Sequence, residues 1–574
     1  MQISTVTEHI TSNLKNANEP AERTDLTPLQ TMESCPEVEN DADNIHLEVQ
    51  MDTAEPAKEP VIEGRRIINI KNFYSRLQEV SRHGPLNFGL GCVDIVSEKI
   101  TGLHSILTLE CKMCNKKFKV SSDEGSDINI NNSAVLGTIA IGCGYSQLQE
   151  LSATLNLPLM GFLLYQKCHT SVAKMWNTIS MTAMKKAGEE EREAAIAKGR
   201  INSKGIPIID VIVDVCWSKR TYKKNYSALS GAAAIIGRKT GKVLYMGVKN
   251  KYCCICALSE NPAEHTCFKN YSGPSTAMES TILVEGFKSS IEMHGIIYGR
   301  MISDGDSATY SKLIEARPYP NVTIQKIECK NHIMRNLCNK ISQLKTDTKH
   351  PIRFRKYITD KKIIAIRSTI KKAMEKYTSE SDAEKRARVE VLYNEILLAH
   401  IHAFEDHSRC KQYFCNKVGE DTSDHEFKTS SLWSKICQIM SYVAAHAPSL
   451  IHNVESNKSE NFNAIIAKLV GGKRINFSLK GSYENRCNGA VISHNTRSLL
   501  STTYKHAAGR SPEGRIKIYE QRKLTKKMKR KYYKKKRLLL SRGEDRNYGE
   551  HCAREDLNLE IMEKEAFFEN LKKN

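Results

Sequence analysis

The chain has 574 residues, with 86 Lys and Arg against 65 Asp and Glu, a net charge of +21 and 40% hydrophobic residues. This length corresponds to several domains at roughly 150 residues each, and the hydrophobic content excludes a wholly disordered protein. No apolar run approaches the ~18 to 20 residues that span a bilayer, and the first residues lack the pattern of a secretion signal, so we expect neither a membrane span nor export. The charge indicates a polyanionic partner, and the 18 cysteines indicate reduced thiols and metal ligands in the cytosol or nucleus.

The two ends of the chain differ in charge. The first 60 residues hold 13 Asp and Glu, three Lys and Arg, and five of the 15 prolines, which predicts a disordered acidic leader that is a solubilising tail or, alternatively, an interaction or activation segment. Residues 515–542 hold 14 Lys and Arg and a single acid, which predicts a basic C-terminal tail. Its cations suit a DNA backbone or a nuclear import receptor, and those that we expect to make such contacts are Arg522, Lys523, Lys526, Lys527, Lys529, Arg530, Lys531, Lys534, Lys535, Lys536 and Arg537.

Strand patterns dominate the middle of the chain. Residues 208–217 (IIDVIVDVCW) have the dense β-branched content of a buried strand, and two apolar runs that flank residues 238–242 predict a hairpin. The segments GIIYGRMISD and VTIQKIEC predict two more strands, and the second leads into a helix with Ile333, Leu337 and Ile341 on one face. Strands and helices in this order predict an α/β domain with a mixed sheet.

A helical pattern follows from residue 361 to residue 404. Its apolar residues fall on two faces, made of Ile363, Ile366, Ile370 and Met374 and of Val391, Leu392, Ile396 and Leu397. This pattern predicts a helical insertion. The domains that we predict are an acidic leader (1–63), an N-terminal domain with a candidate zinc knuckle (64–200), the first part of a sheet core with a Cys/His zinc segment (201–345), the helical insertion (346–450), the completion of the core (451–514) and the basic tail (515–574).

Three carboxylates are candidates for metal-dependent phosphodiester chemistry. Mg²⁺ and Mn²⁺ prefer hard oxygen ligands, and a two-metal site stabilises both the attacking and the leaving oxygen. Asp214 lies in the first core strand and shares its face with Asp210, Asp304 ends a later strand, and Glu460 begins a helix. Asp306 is the alternative to Asp304. The plainer interpretation is that an Asp at a strand end is a turn residue.

The cysteine spacing predicts structural zinc. Cys253, Cys256, His265 and Cys267 supply two close pairs of soft ligands, as in a tetrahedral site, while the adjacent Cys254 is either a competitor or a core residue. Three other candidates are less complete. Cys111 and Cys114 would be half of a zinc knuckle that Cys92 or Cys143 completes, and His407, Cys410 and Cys415 would form a site with His425. Cys329 and His332 are either a metal pair or a buried thiol beside a capping histidine. No thiol is singled out as an activated nucleophile, so a catalytic Cys/His pair is not favoured.

A series of short motifs follows in order between residues 65 and 515: VDVCWSKRTY, TGKV, CCIC, HTCFKNY, GPSTAME, SDGDSATY, ECKNHIMRN, HSRCKQYFC and NKSENFNAIIAKLVGGKRINF. This series resembles the Mutator-like DDE transposases found in animal genomes. The resemblance implies an RNase H-like catalytic core with a helical insertion between the second and third acids. It also implies that Asp214, Asp304 and Glu460 form the catalytic triad and that Cys329 and His332 are the family's C-x2-H pair. Val215 replaces the Gly that often follows the first acid.

The function implied by this resemblance is DNA transposition in the nucleus. We expect Mg²⁺ or Mn²⁺ at the three acids, structural Zn²⁺ at the cysteines, and double-stranded DNA of the transposon ends and of the target as partner; self-association into a homo-oligomer is compatible with this function. One alternative is a domesticated DNA-binding regulatory protein that has lost catalysis. Another is a metal-dependent nuclease unconnected with transposition.

Overall fold

The structure is a computed structural model that describes residues 62–84, 88–124, 126–218, 228–259, 264–303, 307–378, 381–473, 475–478 and 481–540. Residues 1–61 of the predicted acidic leader and residues 541–574 of the predicted basic tail lie outside the described residues. Within the described ranges, no helix is both long enough and apolar enough to cross a membrane.

The N-terminal region carries a small antiparallel sheet of three strands, in the order β1-β2-β3. Val80 of the first helix packs with Leu109 and Val120 of this sheet, and the three side chains form a small separate core. The longest helix, α4, packs on the last helices of the fold, where the indole N–H of Trp176 donates to the hydroxyl of Thr503 at 3.0 Å. The elements are α1 (Ile70–Val80), β1 (Val93–Thr101), β2 (His104–Cys111), β3 (Lys117–Ser121), α2 (Ile130–Ile141), α3 (Tyr145–Thr154) and α4 (Phe162–Ile196).

A five-stranded mixed sheet is the centre of the fold. Its strands are β4 (Ile208–Trp217), β5 (Ser230–Gly237), β6 (Val243–Asn250), β7 (Ile297–Ser303) and β8 (Gln325–Glu328), and their order is β6-β5-β4-β7-β8. The first three strands pair antiparallel, and β7 and β8 join β4 in parallel. The predicted strand at 208–217, the hairpin and the mixed α/β class are confirmed. The dense apolar run of β4 reflects burial on both faces of the sheet.

Helices cover both faces of this sheet. On one face Val211 and Val213 pack with Ile282 and Phe287, and on the other Ile212 packs in the cluster that contains Phe462 and Tyr483. The covering and following helices are α5 (Cys254–Leu258), α6 (Met278–Lys288), α7 (Ser290–His294), α8 (Ser307–Glu315), α16 (Asn457–Leu469), α17 (Ser482–Thr496), α18 (Leu499–Ala508) and α19 (Arg515–Leu540).

The helical insertion has a hydrophobic core of its own. The predicted helix over 361–404 is confirmed as two helices that pack together, with Ile366 and Ile370 of the first and Leu392 and Ile396 of the second fully buried. Val391 is 38% exposed, because a neighbour in sequence points about 100° away on a helix. The elements of the insertion are α10 (Ile352–Arg355), α11 (Asp360–Tyr377), α12 (Asp382–Ala403), α13 (His425–Lys428), α14 (Ser431–Ala444) and α15 (Ala447–Leu450). The preceding helix α9 (Lys330–Leu344) contributes to the same core.

The end of α16 is held in place by a fully buried arginine. The Arg486 guanidinium donates to the carbonyl oxygen of Leu469 and, at 2.6 Å, to that of Cys143. Burial lowers the pKa of Arg486 to about 10. Gly142 at the end of α2 has φ +90°, and a Cβ there would lie 2.3 Å from the carbonyl oxygen of Lys468, so this close approach requires glycine. These contacts fix α16, the helix that carries the predicted third acid.

Candidate catalytic site and metal centres

Asp214 in β4 is oriented by hydrogen bonds to both carboxylate oxygens. Oδ1 accepts from the Val215 N–H at 2.8 Å, and Oδ2 accepts from Nδ2 of Asn463 in α16 at 3.0 Å. The same Asn463 amide donates to the carbonyl oxygen of Val215 at 3.1 Å. Asn463 therefore holds both the backbone and the carboxylate of this half-buried strand segment, and it ties α16 to the middle of the sheet.

Glu460 lies in the first turn of α16 and is exposed. It precedes Asn463 by three residues, and residues at this spacing are neighbours on one side of a helix. Its charge is favourable at this position, since a helix N-terminus carries partial positive charge. Glu460 therefore stands on the side of α16 from which Asn463 reaches Asp214.

Asp304 and the alternative ligand Asp306 lie outside the described residues. The strand that leads to them is described: β7 ends at Ser303, and Ile302 pairs in parallel with Ile212 of β4. Because Ile212 precedes Asp214 by two residues, the end of β7 and the first acid lie at a similar level of the sheet. The assignment of Asp304 or Asp306 stays a prediction.

Asp210, on the same strand as Asp214, is neutralised by arginines. Its side chain is buried, with the guanidinium of Arg200 at 2.6 Å, that of Arg238 at 2.8 Å and that of Arg300 at 3.4 Å. Burial would raise the pKa of Asp210, but these arginines together lower it to about 2. The carboxylate of Asp210 is fully engaged by these arginines, whereas that of Asp214 is held by the Val215 N–H and the Asn463 amide.

Cys329 joins the start of α9 to the start of α16. It caps the N-terminus of α9, and its Sγ accepts from the backbone N–H of Ser456 at 3.3 Å and from the Ser456 hydroxyl at 3.2 Å. Burial would raise the pKa of Cys329, but hydrogen bonds with His332 and Ser456 hold it below its usual range. Groups of three or more candidate metal ligands do form among the described residues, but none of them includes Cys329 or His332. A metal at Cys329 and His332 stays a prediction, whereas the contact with the segment before Glu460 is direct.

The four predicted zinc ligands near α5 come together, with their ligand atoms within 4.8 Å of one another. Sγ of Cys256 lies 3.3 Å from Nε2 of His265 and 3.5 Å from Sγ of Cys267, and Sγ of Cys253 lies 3.5 Å from the same Nε2. A tetrahedral site with ligand distances of ~2.0 to 2.3 Å has edges of about 3.3 to 3.8 Å, so this donor set fits zinc. Cys254 is not part of the group.

A second group forms in the N-terminal sheet region. Cys111 and Cys114 are joined by His83, which the spacing of the cysteines does not indicate because it lies far upstream of the pair. The backbone of Cys92 is close, since its carbonyl oxygen accepts from the N–H of the residue after Cys111 at 2.8 Å. Cys143, the other predicted partner, instead contacts Arg486 through its carbonyl oxygen.

A third group forms in the helical insertion. His407, Cys410 and Cys415 are joined by His402 of α12 rather than by His425, which is exposed at the start of α13. The local spacing H-x4-H-x2-C-x4-C itself indicates this set of ligands, although His402 falls within the segment that the periodicity predicts as a helix. All four ligand atoms lie within 4.8 Å of one another.

The basic segment forms the long helix α19, whose one acid has a structural role. The carboxylate of Glu520 accepts from the backbone N–H groups of Leu500 and Ser501, at 3.0 and 3.3 Å, and from the Ser501 hydroxyl at 2.5 Å. This docks the helix on the first turn of α18. The predicted cations with described side chains are all exposed, namely Arg522, Lys523, Lys526, Lys527, Lys529 and Arg530; Lys531 and residues 534–537 lie in the helix, but their side chains are outside the described set.

Comparison with known proteins identifies the family. Among curated proteins, none matches the chain. The family model described as Mutator-like transposase matches residues 64–415, which is more than half of the chain. The match spans the positions of Asp214 and Asp304 and ends before Glu460. The chain belongs to the Mutator-like transposase family.

Proposed function

We propose that this transposase is a DDE enzyme that cleaves DNA at transposon ends and joins the freed ends to target DNA, with Asp214, Asp304 and Glu460 as its catalytic acids. The observation that carries this proposal is the contact of Asn463 with Asp214, which ties the helix of Glu460 to the strand of the first acid. The strand order supports an RNase H-like core, because three antiparallel strands are followed by two parallel ones. The helical insertion falls between the second and third acids, as the family resemblance implies.

The residues present fit divalent magnesium or manganese. Asp214 and Glu460 offer hard carboxylate oxygens, one oriented by hydrogen bonds and one exposed to solvent, and Asp304 or Asp306 would complete the set. When bound, the metal ions would neutralise charge on the phosphodiester and activate the attacking oxygen. Asn463 acts as a positioning residue, because its amide keeps the carboxylate of Asp214 in one orientation. Glu460, about one turn earlier on the same helix, stays exposed to solvent.

The reaction consists of two displacements at phosphorus. In the first, water attacks a phosphodiester at the transposon end, the 3′ oxygen leaves, and a free 3′-OH and a 5′-phosphate result. In the second, that 3′-OH attacks a phosphodiester of the target strand and displaces the target's 3′ oxygen. The number of phosphodiester bonds is unchanged in the second step, so it needs no external energy source and no covalent enzyme intermediate.

The basic helix α19 supports contact with double-stranded DNA outside the catalytic site. Its exposed cations would bind phosphates without regard to sequence, with an affinity that falls as salt rises. The same segment would bind a nuclear import receptor and carry the protein into the nucleus. Structural zinc at Cys253, Cys256, His265 and Cys267 and self-association into a homo-oligomer belong to this proposal as well.

The test is cleavage and joining of DNA that carries the inverted repeats flanking the gene, with Mg²⁺ or Mn²⁺ present. Asp214→Asn, Asp304→Asn and Glu460→Gln should each abolish both steps while DNA binding persists. Glu455→Gln is the matched control, because Glu455 is an acid just before α16 that lies 3.9 Å from Lys330. If Asp304→Asn keeps full activity and Asp306→Asn loses it, the second metal ligand is Asp306 rather than Asp304. Full activity of Glu460→Gln would overturn the triad.

A further inference from the structure

The loop that follows α12 gathers four soft ligands around one point. Nδ1 of His402 lies 3.0 Å from Nδ1 of His407 and 3.3 Å from Sγ of Cys410. Nδ1 of His407 lies 3.7 Å from Sγ of Cys410 and 3.4 Å from Sγ of Cys415. These separations are close to the edges of about 3.3 to 3.8 Å that a tetrahedral zinc site requires. Both histidines thus turn the same ring nitrogen, Nδ1, toward the two thiols.

We propose that His402, His407, Cys410 and Cys415 hold a structural zinc ion in the helical insertion, and that this ion fastens the loop over residues 405–421 to the end of α12. Two imidazoles and two thiolates in a tetrahedral arrangement select zinc among common metals. All four positions are filled by protein, which is the arrangement of a structural site rather than a catalytic one. The site lies outside the sheet that carries Asp214, so it is independent of the proposed catalytic chemistry.

The surroundings of the four ligands agree with this assignment. Cys415 is 5% exposed and His407 is 6% exposed, so the thiol and the ring are shielded from solvent. The backbone N–H of Lys417 donates to Sγ of Cys415 at 3.3 Å, so the loop backbone helps to position this sulfur. The other ring nitrogen of His407, Nε2, faces the carboxylate of Glu405 at 3.9 Å, on the side where metal-bound histidines commonly meet a carboxylate.

The turn that begins the loop has a strained backbone. Glu405 has φ +70°, a left-handed conformation that residues with a side chain adopt only rarely. The chain then folds back on itself, with the His407 N–H donating to the carbonyl oxygen of Glu420 at 2.7 Å and the Gly419 N–H donating to that of His407 at 3.0 Å. A metal bound by residues on both sides of Glu405 would hold the strained turn in place.

Zinc content of the purified full-length protein tests the site. Cys410→Ser and Cys415→Ser should each lower the zinc content by one equivalent relative to the wild type. Cys437→Ser is the matched control and should lose none. Cys437 lies in the same insertion and contacts Nε2 of His400 at 3.3 Å, but it belongs to none of the groups of candidate metal ligands found among the described residues. Unchanged zinc in Cys415→Ser would overturn the proposal, as would a Cys410–Cys415 disulfide in the wild-type protein.

A measurement on the wild-type protein covers the case in which the variants fail to fold. Arg409, Lys411 and Lys417 are exposed trypsin sites within the loop. Removal of zinc by a chelator should speed cleavage at these three sites at least tenfold relative to cleavage within α19, as followed by mass spectrometry, and added zinc should reverse the effect. Equal cleavage rates with and without zinc would overturn the fastening role.

Discussion

The side-chain amide of Asn463 donates a hydrogen bond to the carboxylate of Asp214 at 3.0 Å, although 249 residues separate the two in the chain. This contact joins α16 to β4, the first strand of the central sheet in chain order. Because the same helix begins with the turn that carries Glu460, the hydrogen bond couples the position of the third proposed acid to the orientation of the first.

Substitution of Asn463 should therefore impair catalysis more than folding. Asn463→Ala removes the donor that orients Asp214, and a misplacement of about 1 Å costs on the order of 100-fold in rate. We expect strand cleavage to slow by about 10- to 100-fold, while the protein stays folded with a loss of about 1 kcal/mol for each hydrogen bond removed. Asn461→Ala is the control, since Asn461 lies on the same helix and is exposed. Equal cleavage rates for the two variants would show that the amide has no positioning role.

The buried Asp210 should make stability depend on pH in the acid range. Its pKa is lowered to about 2 in the folded protein, against about 3.9 in an unfolded chain. A lowered folded pKa contributes stability above the unfolded value, so the contribution is complete above about pH 4 and is lost as pH falls toward 2. The difference of nearly two pKa units corresponds to about 2.6 kcal/mol.

Asp210→Asn measures this contribution. The substitution leaves three arginines around a neutral group, and loss of one partner from a buried ion pair costs about 3 to 5 kcal/mol. Urea unfolding at pH 7 should show this loss, and the gap between wild type and variant should narrow by about 2 kcal/mol at pH 2.5. A gap that stays constant between these pH values would contradict the ionic role of Asp210.

Zinc at the predicted site near α5 should depend on Cys256 and not on its neighbour. Cys256→Ser removes the thiol that contacts both His265 and Cys267, so the zinc content should fall by about one equivalent and the melting temperature should drop. Cys254→Ser should retain the metal, because Cys254 is outside the ligand group. Metal analysis of the two purified variants decides the question. An equal zinc content in the Cys256→Ser and Cys254→Ser variants would contradict a zinc site that depends on Cys256.

The basic helix should set the salt dependence of DNA binding. Replacement of Arg522, Lys523, Lys526 and Lys527 by Gln should reduce the slope of log affinity against log salt by up to about 4, because each lost phosphate contact contributes about 0.9. Replacement of the three lysines by Arg keeps the charge and should keep the slope. Fluorescence anisotropy at several salt concentrations measures both variants. If the Gln variant keeps the wild-type slope, α19 does not contact DNA.

The same helix should direct nuclear import. A fluorescent reporter fused to residues 515–542 should accumulate in the nucleus, and Ala substitutions of Lys534, Lys535, Lys536 and Arg537 should reduce the nuclear fraction severalfold, because import receptors bind clustered cations. Microscopy of the two fusions provides the measurement. Cytoplasmic retention of the unsubstituted fusion would remove the import argument for this segment.

Local patterns in the sequence predicted many of the secondary-structure elements and one group of metal ligands. The β-branched run at 208–217 and the helical periods of the insertion fixed their elements, because side-chain alternation and the 3.6-residue repeat are properties of neighbours in sequence. The four ligands near α5 were also readable, since they fall within one short segment. The order of the motifs was enough to indicate the Mutator-like transposase family.

Tertiary structure decided which of the polar residues act together. Asp210 and Asp214 look equivalent in the sequence, yet one is enclosed by arginines and the other is oriented by Asn463. His83 joined its cysteines only because the turn after α1 packs beside the small sheet. Hydrophobic periodicity specifies the element and its buried face, whereas the partner of each polar side chain depends on which distant elements pack against that face.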